Sequence, residues 1–297
     1  MKLEKYVDLP SHTSGGFDHA DVHESSGYVF LAHTGNGTVE VIDGDRGIYS
    51  GTLPGCSGAS GVVCAQKEGL VFAAARGGGK VLVIDAKTRT VLREISAGFK
   101  PNGIGWDTTH RLLLTADVED LQARILIPET GEITGNIKLP GRPRWCKYSQ
   151  RTNSFWINIQ KPAELLSLEP QTAQIHKVFP VSVDGPHGLD IDENEGRAYV
   201  ACDGKAIVVL GLHTGTELDV VQIPGEPDVV WFNRSRRRLY CAIGRPGVVD
   251  VIDANTMRLD QEIETEEGAH TLTFDETRQK LYVFLPRSCR VAVYREL

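Results

Sequence analysis

The most constraining feature of this chain is an internal repeat. Segments 100–117, 185–203, 226–244 and 268–286 each open with a Gly- or Pro-containing turn and one polar residue, as in GPHGLDIDENEGRAYVACD at 185–203. A short apolar strand, a polar turn around Asp or Asn and a second apolar strand follow. Weaker copies begin near residues 16, 58 and 142, so the pattern occurs seven times. Such repetition predicts one supersecondary unit per repeat.

The polar residue after the opening turn marks the register of the repeat. Its positions differ successively by 42, 42, 42, 43, 41 and 42 residues. The seven marked residues are Asp18, Ser60, Asn102, Arg144, His187, Asp228 and His270. Because this spacing leaves no stretch for a linker, we expect a single domain over residues 1–297.

Each repeat contains four short strands with alternating apolar residues. Third strands read KVLVID or AIVVLG, and fourth strands end near Leu-Pro or Ile-Pro, as in IKLPG and VQIPG. No stretch of a dozen residues shows a convincing helical period. Four strands in a repeat of this length predict an all-β fold, a seven-bladed β-propeller with four-stranded antiparallel blades.

The seventh repeat is incomplete and indicates how the ring closes. It ends at RVAVYREL, its third strand, whereas the N-terminal segment LEKYVDLP carries the Leu-Pro ending of a fourth strand. We therefore expect residues 2–10 to complete blade 7, which removes the exposed sheet edges that an open ring would have.

The repeat resembles that of a known family. RLLLTAD…RILI, RAYVACD…AIVVL and RLYCAIG…VVDVIDANT are similar to the YVTN-type repeat of YncE-like seven-bladed propellers, across essentially the whole chain. The Gly-His and Trp-Asp pairs of WD repeats are absent. The resemblance implies the fold, but this architecture supports many unrelated activities.

Composition restricts the partners. A net charge of −7 argues against binding to nucleic-acid phosphates, and no apolar run is long enough to span a bilayer. The six cysteines form no CxxC pair, and the N-terminal segment has no apolar signal region. We expect a cytoplasmic protein with a small-molecule ligand and no nucleic-acid or membrane partner; a protein partner stays open.

In a propeller the first strand of each blade lines the central channel, so the seven marked residues should form a ring at one channel mouth. His187, Asp228, His270 and Asp18 are consecutive in this ring, which places two imidazoles and two carboxylates on one arc. Such a set suits Zn²⁺, Mn²⁺ or Fe²⁺. His–Asp neighbours at a wet channel mouth also form hydrogen bonds without any metal, and both interpretations remain open.

Further candidates surround the arc. Arg144 could hold a substrate carboxylate, with Asn102 and Ser60 beside it. His19 follows Asp18 directly, and Trp145 occupies a position where most blades have Gly. The loops after the second strands form a second ring, interpreted mainly as solvated loops: His33, Arg76, Asp117, Gln160, Asp203, Arg245 and Arg287.

Two functions follow from these residues. The first is a small-molecule enzyme of the lactone hydrolase or lyase type, in which His187 or His270 is a general base and Arg144 holds the substrate, with or without a divalent metal on His187, Asp228, His270 and Asp18. Asn102, Ser60, His19, His33 and Trp145 would contact the ligand. The alternative is a non-catalytic propeller scaffold that binds a small molecule or a protein.

Overall fold

The computed structural model describes residues 1–296, which form 28 strands in seven four-stranded antiparallel sheets. Six sheets are built from four consecutive strands, and the seventh combines the last three strands with the first. The predicted seven-bladed all-β propeller is therefore confirmed.

Each blade has four strand positions, counted from the channel outward. At each position the strands are given in the order of blades 1 to 7. The innermost strands are β2 (Ala20–His23), β6 (Ala59–Ala65), β10 (Pro101–Asp107), β14 (Pro143–Ser149), β18 (Pro186–Asp192), β22 (Pro227–Asn233) and β26 (Thr271–Asp275). The second strands are β3 (Tyr28–His33), β7 (Leu70–Ala75), β11 (Leu112–Asp117), β15 (Ser154–Ile159), β19 (Arg197–Cys202), β23 (Arg238–Ile243) and β27 (Lys280–Leu285). The third strands are β4 (Thr38–Asp43), β8 (Lys80–Asp85), β12 (Gln122–Ile127), β16 (Glu164–Glu169), β20 (Ala206–Gly211), β24 (Val248–Asp253) and β28 (Arg290–Arg295). The outer strands are β5 (Ile48–Leu53), β9 (Thr90–Ser96), β13 (Glu132–Lys138), β17 (Gln174–Pro180), β21 (Glu217–Gln222), β25 (Arg258–Glu264) and β1 (Lys2–Asp8). One 3-10 turn, Arg76–Gly78, follows β7.

The N-terminal strand closes the ring as expected. β1 pairs antiparallel with β28, from Lys2 opposite Arg295 to Asp8 opposite Arg290. The strand ends two residues before the predicted limit. The Leu9 amide still donates to the Cys289 carbonyl at 2.8 Å, but Pro10 has no amide hydrogen with which to continue the ladder.

Local turn chemistry explains why the first two strands of each blade form a hairpin. Asp192 ends β18, and its carboxylate accepts hydrogen bonds from the amides of Asn194 and Glu195 at 2.9 and 3.2 Å. Gly196 then adopts a φ of 67°, a left-handed conformation that glycine reaches without steric cost. The polar turn in each repeat therefore has a direct structural purpose.

The hydrophobic core lies between neighbouring blades. Phe30 of blade 1 and Leu82 of blade 2 belong to one buried cluster, and the rings of Tyr199 and Phe232 pack at 5.2 Å between blades 5 and 6. Outer strands are largely exposed, as in β9. Because inner sheets are covered on both faces, truncating such a ring to alanine should cost about 3–5 kcal/mol.

The innermost strands enclose the central channel. Each packs on the innermost strands of the two adjacent blades, and β26 packs on β2, so the ring is continuous. Within residues 1–296 no helix has the length and apolar character needed to cross a membrane.

Candidate functional site

The marked polar residues lie where the innermost strands begin, and several coincide with β-bulges. The pairing of β18 with β19 shifts between Pro186 and Gly188, which leaves His187 outside the regular ladder. The same shift occurs around Asp228 in β22 and around Asn102 in β10. A bulge redirects the extra side chain, and the opening Gly/Pro turn with its bulge thus presents these residues at one end of the channel.

Five side chains from blades 4 to 7 meet at this end, and we call them the mouth cluster: Arg144, His187, Asp203, Asp228 and His270. They line one cavity of about 530 Å³, which also contacts Gln160, Glu226, Arg245 and Glu267. The predicted neighbours His187, Asp228 and His270 are therefore brought together, and a carboxylate from the second ring joins them.

His187 is the centre of the mouth cluster. Its Nδ1 lies 2.8 Å from Asp203 Oδ1, and its Nε2 lies 2.8 Å from Asp228 Oδ1. Carboxylates only accept hydrogen bonds, so both ring nitrogens can donate only when the imidazole is protonated. The geometry is that of an imidazolium ion held between two carboxylates.

The charges of these three side chains shift the pKa values of His187 and Asp228. Burial alone disfavours the charged ring, but the negative charge of Asp228 and the hydrogen bonds from both carboxylates raise the pKa of His187 to about 9. Burial likewise favours the neutral form of Asp228, yet the positive charge of His187 holds the pKa of that carboxyl well below its ordinary value. His187 is consequently a cation at neutral pH.

His270 shares Asp228 with His187. Its Nε2 lies 3.1 Å from the Phe17 carbonyl and 3.6 Å from Asp228 Oδ2. Since a carbonyl can only accept, Nε2 carries the proton, and in the neutral ring the lone pair is on Nδ1. The His270 side chain is 39% exposed, against 17% for His187, so the two imidazoles differ in both charge environment and accessibility.

Arg144 approaches the cluster from blade 4. Its guanidinium is 3.9 Å from Asp203 Oδ2, and its buried Nε has no hydrogen-bond partner among residues 1–296. Burial lowers the pKa of Arg144 from its ordinary value, but arginine remains charged. Gln160 also donates to Asp203, at 2.8 Å. Arg144 is therefore a cation whose donors are only partly used.

Asp18 also lies at this mouth, but its carboxylate contacts side chains outside the mouth cluster. Its carboxylate accepts a hydrogen bond from His19 Nδ1 at 2.6 Å and lies 3.9 Å from the Arg76 guanidinium. Arg76 also donates to Asn102 at 2.7 Å. Asp18, Asn102 and Arg76 thus form a second polar group on the same mouth, beside the mouth cluster.

His19 and Trp145 meet across the channel. Their rings stack with centroids 3.7 Å apart and an interplanar angle of 8°, although they belong to blades 1 and 4. Gly61 lies close to the indole, and a Cβ there would be 3.3 Å from a Trp145 ring carbon. The indole occupies space that the glycines of other blades leave open, and the stack forms a partition below the mouth.

Two predicted ligand-binding residues lie away from open space. Ser60 is fully buried, and its hydroxyl lies 3.2 Å from the Pro101 carbonyl. His33 is also fully buried, between Glu40 Oε1 at 3.0 Å and His12 at 2.8 Å. Neither side chain offers surface to a ligand, because the adjoining backbone and carboxylate already satisfy them.

Asp203 belongs to the mouth cluster, although the sequence does not predict it as a site residue. It follows β19 in the second ring, where the pattern favours a solvated loop, yet it contacts His187, Arg144 and Gln160. The available signal is its register: residues after the second strand lie at the same mouth as the residues that begin the first strand.

The mouth does not present a ready metal site. Among residues 1–296 no group of three or more His, Cys, Asp or Glu side chains is arranged to hold a metal ion. A metal ligand must supply a deprotonated imidazole nitrogen, and both nitrogens of His187 face carboxylates. In this arrangement the residues do not fit a divalent metal.

Comparison with known proteins bears on the fold. Neither the protein-family models nor the curated proteins compared by sequence match the chain. In three dimensions the chain is similar to hydrazine synthase of Kuenenia stuttgartiensis, with a TM-score of 0.84, 12% sequence identity and coverage of 97% of each chain. At this identity the likeness concerns the propeller architecture alone.

Proposed function

We propose that the channel mouth binds and transforms a small molecule by general acid–base catalysis, as a lactone hydrolase or a lyase. The observation that carries the proposal is the imidazolium of His187, held by Asp203 and Asp228 at 2.8 Å each, beside the more exposed His270 in one cavity. An exposed imidazole beside fixed charges in a cavity is a usual arrangement for proton transfer in catalysis.

His187 is a fixed cation in this scheme, because Asp203 and Asp228 hold both of its N–H groups, so only His270 keeps the role of base expected from sequence. A ring with a pKa of about 9 is protonated at neutral pH and is a poor base. His270 is the proton acceptor through Nδ1, because Nε2 donates to the Phe17 carbonyl. Arg144, whose guanidinium lines the cavity 3.9 Å from Asp203, is placed to hold a carboxylate or an oxyanion.

Both reaction classes use the same three groups. In lactone hydrolysis His270 takes a proton from water as the water attacks the carbonyl, and the resulting His270 imidazolium gives that proton to the departing ring oxygen, while the positive charges of His187 and Arg144 stabilise the oxyanion. In β-elimination His270 removes the proton next to a carboxylate held by Arg144, the charge of His187 stabilises the enolate, and the His270 imidazolium then protonates the leaving group. In each case one proton enters the protein and one leaves it.

The test uses purified protein, a panel of small lactones and β-substituted carboxylates, and proton release or ultraviolet absorbance as the readout. Replacing His187 with Gln or His270 with Gln should each lower kcat by about 10²–10⁴-fold. His176→Gln is the matched control, since His176 is exposed on the outer strand β17. Turnover that persists in both mouth variants would refute the proposal.

The same experiment addresses the non-catalytic alternative. Saturable binding of a panel compound, lost in Arg144→Gln but without turnover of any compound, would identify the mouth as a binding site of a propeller scaffold. The Arg144 guanidinium in the cavity lining favours an anionic ligand in that case as well.

A divalent metal on His187, Asp228, His270 and Asp18 stays a prediction from the sequence. The ion pairs of His187 and the distinct partners of Asp18 speak against it. Elemental analysis of the purified protein decides the matter: a stoichiometric transition metal would require a rearranged mouth cluster.

The finer family assignment and the location are also proposals. The repeat segments RAYVACD…AIVVL and RLYCAIG…VVDVIDANT support membership among YVTN-type, YncE-like propellers. All six cysteines are free, and five are buried, which supports a reducing compartment such as the cytoplasm.

A further inference from the structure

A second cavity lies below the stacked rings of His19 and Trp145, away from the mouth cluster. It has a volume of about 440 Å³ and extends along the innermost strands to the opposite end of the channel. Three of the four tryptophans, Trp106, Trp145 and Trp231, line it together with aliphatic side chains such as Ile104. We call it the lower cavity, and it shares no lining residue with the cavity at the mouth.

The lower cavity contains polar atoms without partners. Trp106 and His19 both line it and are only 5% and 6% exposed. Trp106 Nε1 and His19 Nε2 have no hydrogen-bond partner among residues 1–296. A buried polar group without a partner costs about 1–3 kcal/mol, so the lining of this cavity is not optimised for stability alone, as is common at functional sites.

The charged side chains on the walls indicate whether a ligand of the lower cavity should be a cation or an anion. The carboxylates of Asp21, Glu24 and Glu276 line the cavity, against the two cations Lys147 and Arg234. Burial raises the pKa of Asp21 to about 6 and raises that of Glu276 above its ordinary value. The donors to Glu24 and Glu276 are the neutral Thr277 hydroxyl and the Arg234 backbone amide, so these two carboxylates have no positive charge at hydrogen-bond distance among residues 1–296.

Lys147 offsets part of the charge of Asp21, but it is paired with another carboxylate. Its ammonium lies 2.9 Å from Asp190 Oδ1 and 4.6 Å from the centre of the Trp231 ring. The ion pair with Asp190 and the aromatic contact already use this cation, so the acidic excess of the lower cavity remains.

We propose that the lower cavity binds a small aromatic ammonium ion. The aromatic ring would lie against the indoles of Trp106 and Trp145, where stacking is favourable. The ammonium group would face the carboxylates of Glu24 and Glu276 and form charge-assisted hydrogen bonds. This site is distinct from the proposed reaction at the mouth, and the partition of His19 and Trp145 separates the two.

Three probes of nearly equal size test the sign of the charge: benzylammonium, benzyl alcohol and benzoate, measured by isothermal titration calorimetry on the full chain. Benzylammonium should bind in the millimolar range or tighter, at least about tenfold tighter than benzyl alcohol. Benzoate should bind more weakly than either. Equal affinity for the three probes, preference for benzoate, or no binding of benzylammonium at millimolar concentrations would overturn the proposal.

Charge-removing variants locate the site. Glu276→Gln and Glu24→Gln should each weaken benzylammonium binding by about three- to tenfold and leave benzyl alcohol unaffected. Glu132→Gln, on the exposed face of the outer strand β13, is the matched control and should change neither. Unchanged benzylammonium affinity in both cavity variants would refute the assignment. Catalysis at the mouth should be unaltered in Glu276→Gln, so the two proposals fail independently.

Discussion

Two histidine–carboxylate groups in this propeller have similar bond lengths and opposite accessibility. His33 donates to Glu40 at 3.0 Å within blade 1, and both side chains are completely buried. His187 contacts Asp203 and Asp228 at 2.8 Å, but these three side chains are 17–26% exposed and line an open cavity. Both histidines are candidates from sequence, and only their surroundings distinguish them.

The difference lies in how the carboxylates are satisfied. Glu40 also accepts hydrogen bonds from Thr38, Thr52 and Tyr49, at 2.6, 2.6 and 2.9 Å. Burial favours its neutral form, yet the donors led by His33 lower the pKa of Glu40. A closed network of this kind stabilises one arrangement of the core and leaves nothing for a ligand, whereas the mouth cluster keeps donors of Arg144 and a lone pair of His270 available.

The largest expected effect is on the closed network. Glu40→Ala should lower the free energy of unfolding by about 3–5 kcal/mol, chiefly because it leaves the fully buried His33 without its carboxylate acceptor. Urea denaturation measures the change, and Glu132→Gln should stay within about 0.5 kcal/mol of the wild type. Ligand binding at the mouth should persist in any folded Glu40→Ala protein. A loss below about 1 kcal/mol would show that the network is not structural.

The second effect is a change of stability with pH, which we expect from His187 at the mouth. The folded-state pKa of His187, about 9, lies above the ordinary value of 6.5, so its stabilising contribution is complete below pH 6.5 and is lost as the pH rises through 9. The difference corresponds to about 3 kcal/mol. Denaturation at several pH values between these limits should show the loss in the wild type and not in His187→Gln. A parallel decline in both proteins would contradict the assignment.

The smallest effect tests the contribution of one carboxylate to the mouth cluster. Asp203→Asn should lower the midpoint of the His187 titration by about 1 pH unit, because one anionic acceptor becomes neutral while Asp228 remains. The imidazole resonances in an NMR titration report the midpoint. Asp184→Asn is the control, since Asp184 is exposed on the loop before β18. An unchanged midpoint in Asp203→Asn would mean that Asp228 alone holds the imidazolium.

The architecture could be predicted from the sequence because its determinants are local and repeated. Alternating apolar residues indicate strands, Asp or Asn turns indicate hairpins, and the spacing near 42 residues counts the blades. The missing fourth strand of the last repeat, together with the Leu-Pro ending at residues 9 and 10, even indicates how β1 pairs with β28. Each of these features is determined either by a few neighbouring residues or by the spacing of the repeat.

For the candidate site, the sequence predicts which positions lie around the channel mouth but not which of their side chains face the cavity. Register places His187, Asp228 and His270 in adjacent blades, and the structure brings them together. Whether a ring member faces the cavity or the core depends on side-chain rotamers, on bulges and on the size of the neighbour in the next blade. Ser60 is therefore buried while its counterpart His187 lines the mouth.

By itself, then, the sequence determined the seven blades, the closing strand and which residues begin each innermost strand. Only the tertiary structure decided that Asp203 joins His187, that Asp18 turns to His19 and that Trp145 reaches across the channel. The physical reason is that backbone pattern follows from local propensity and repetition, whereas contacts between charged side chains depend on distances across blades that no single repeat encodes.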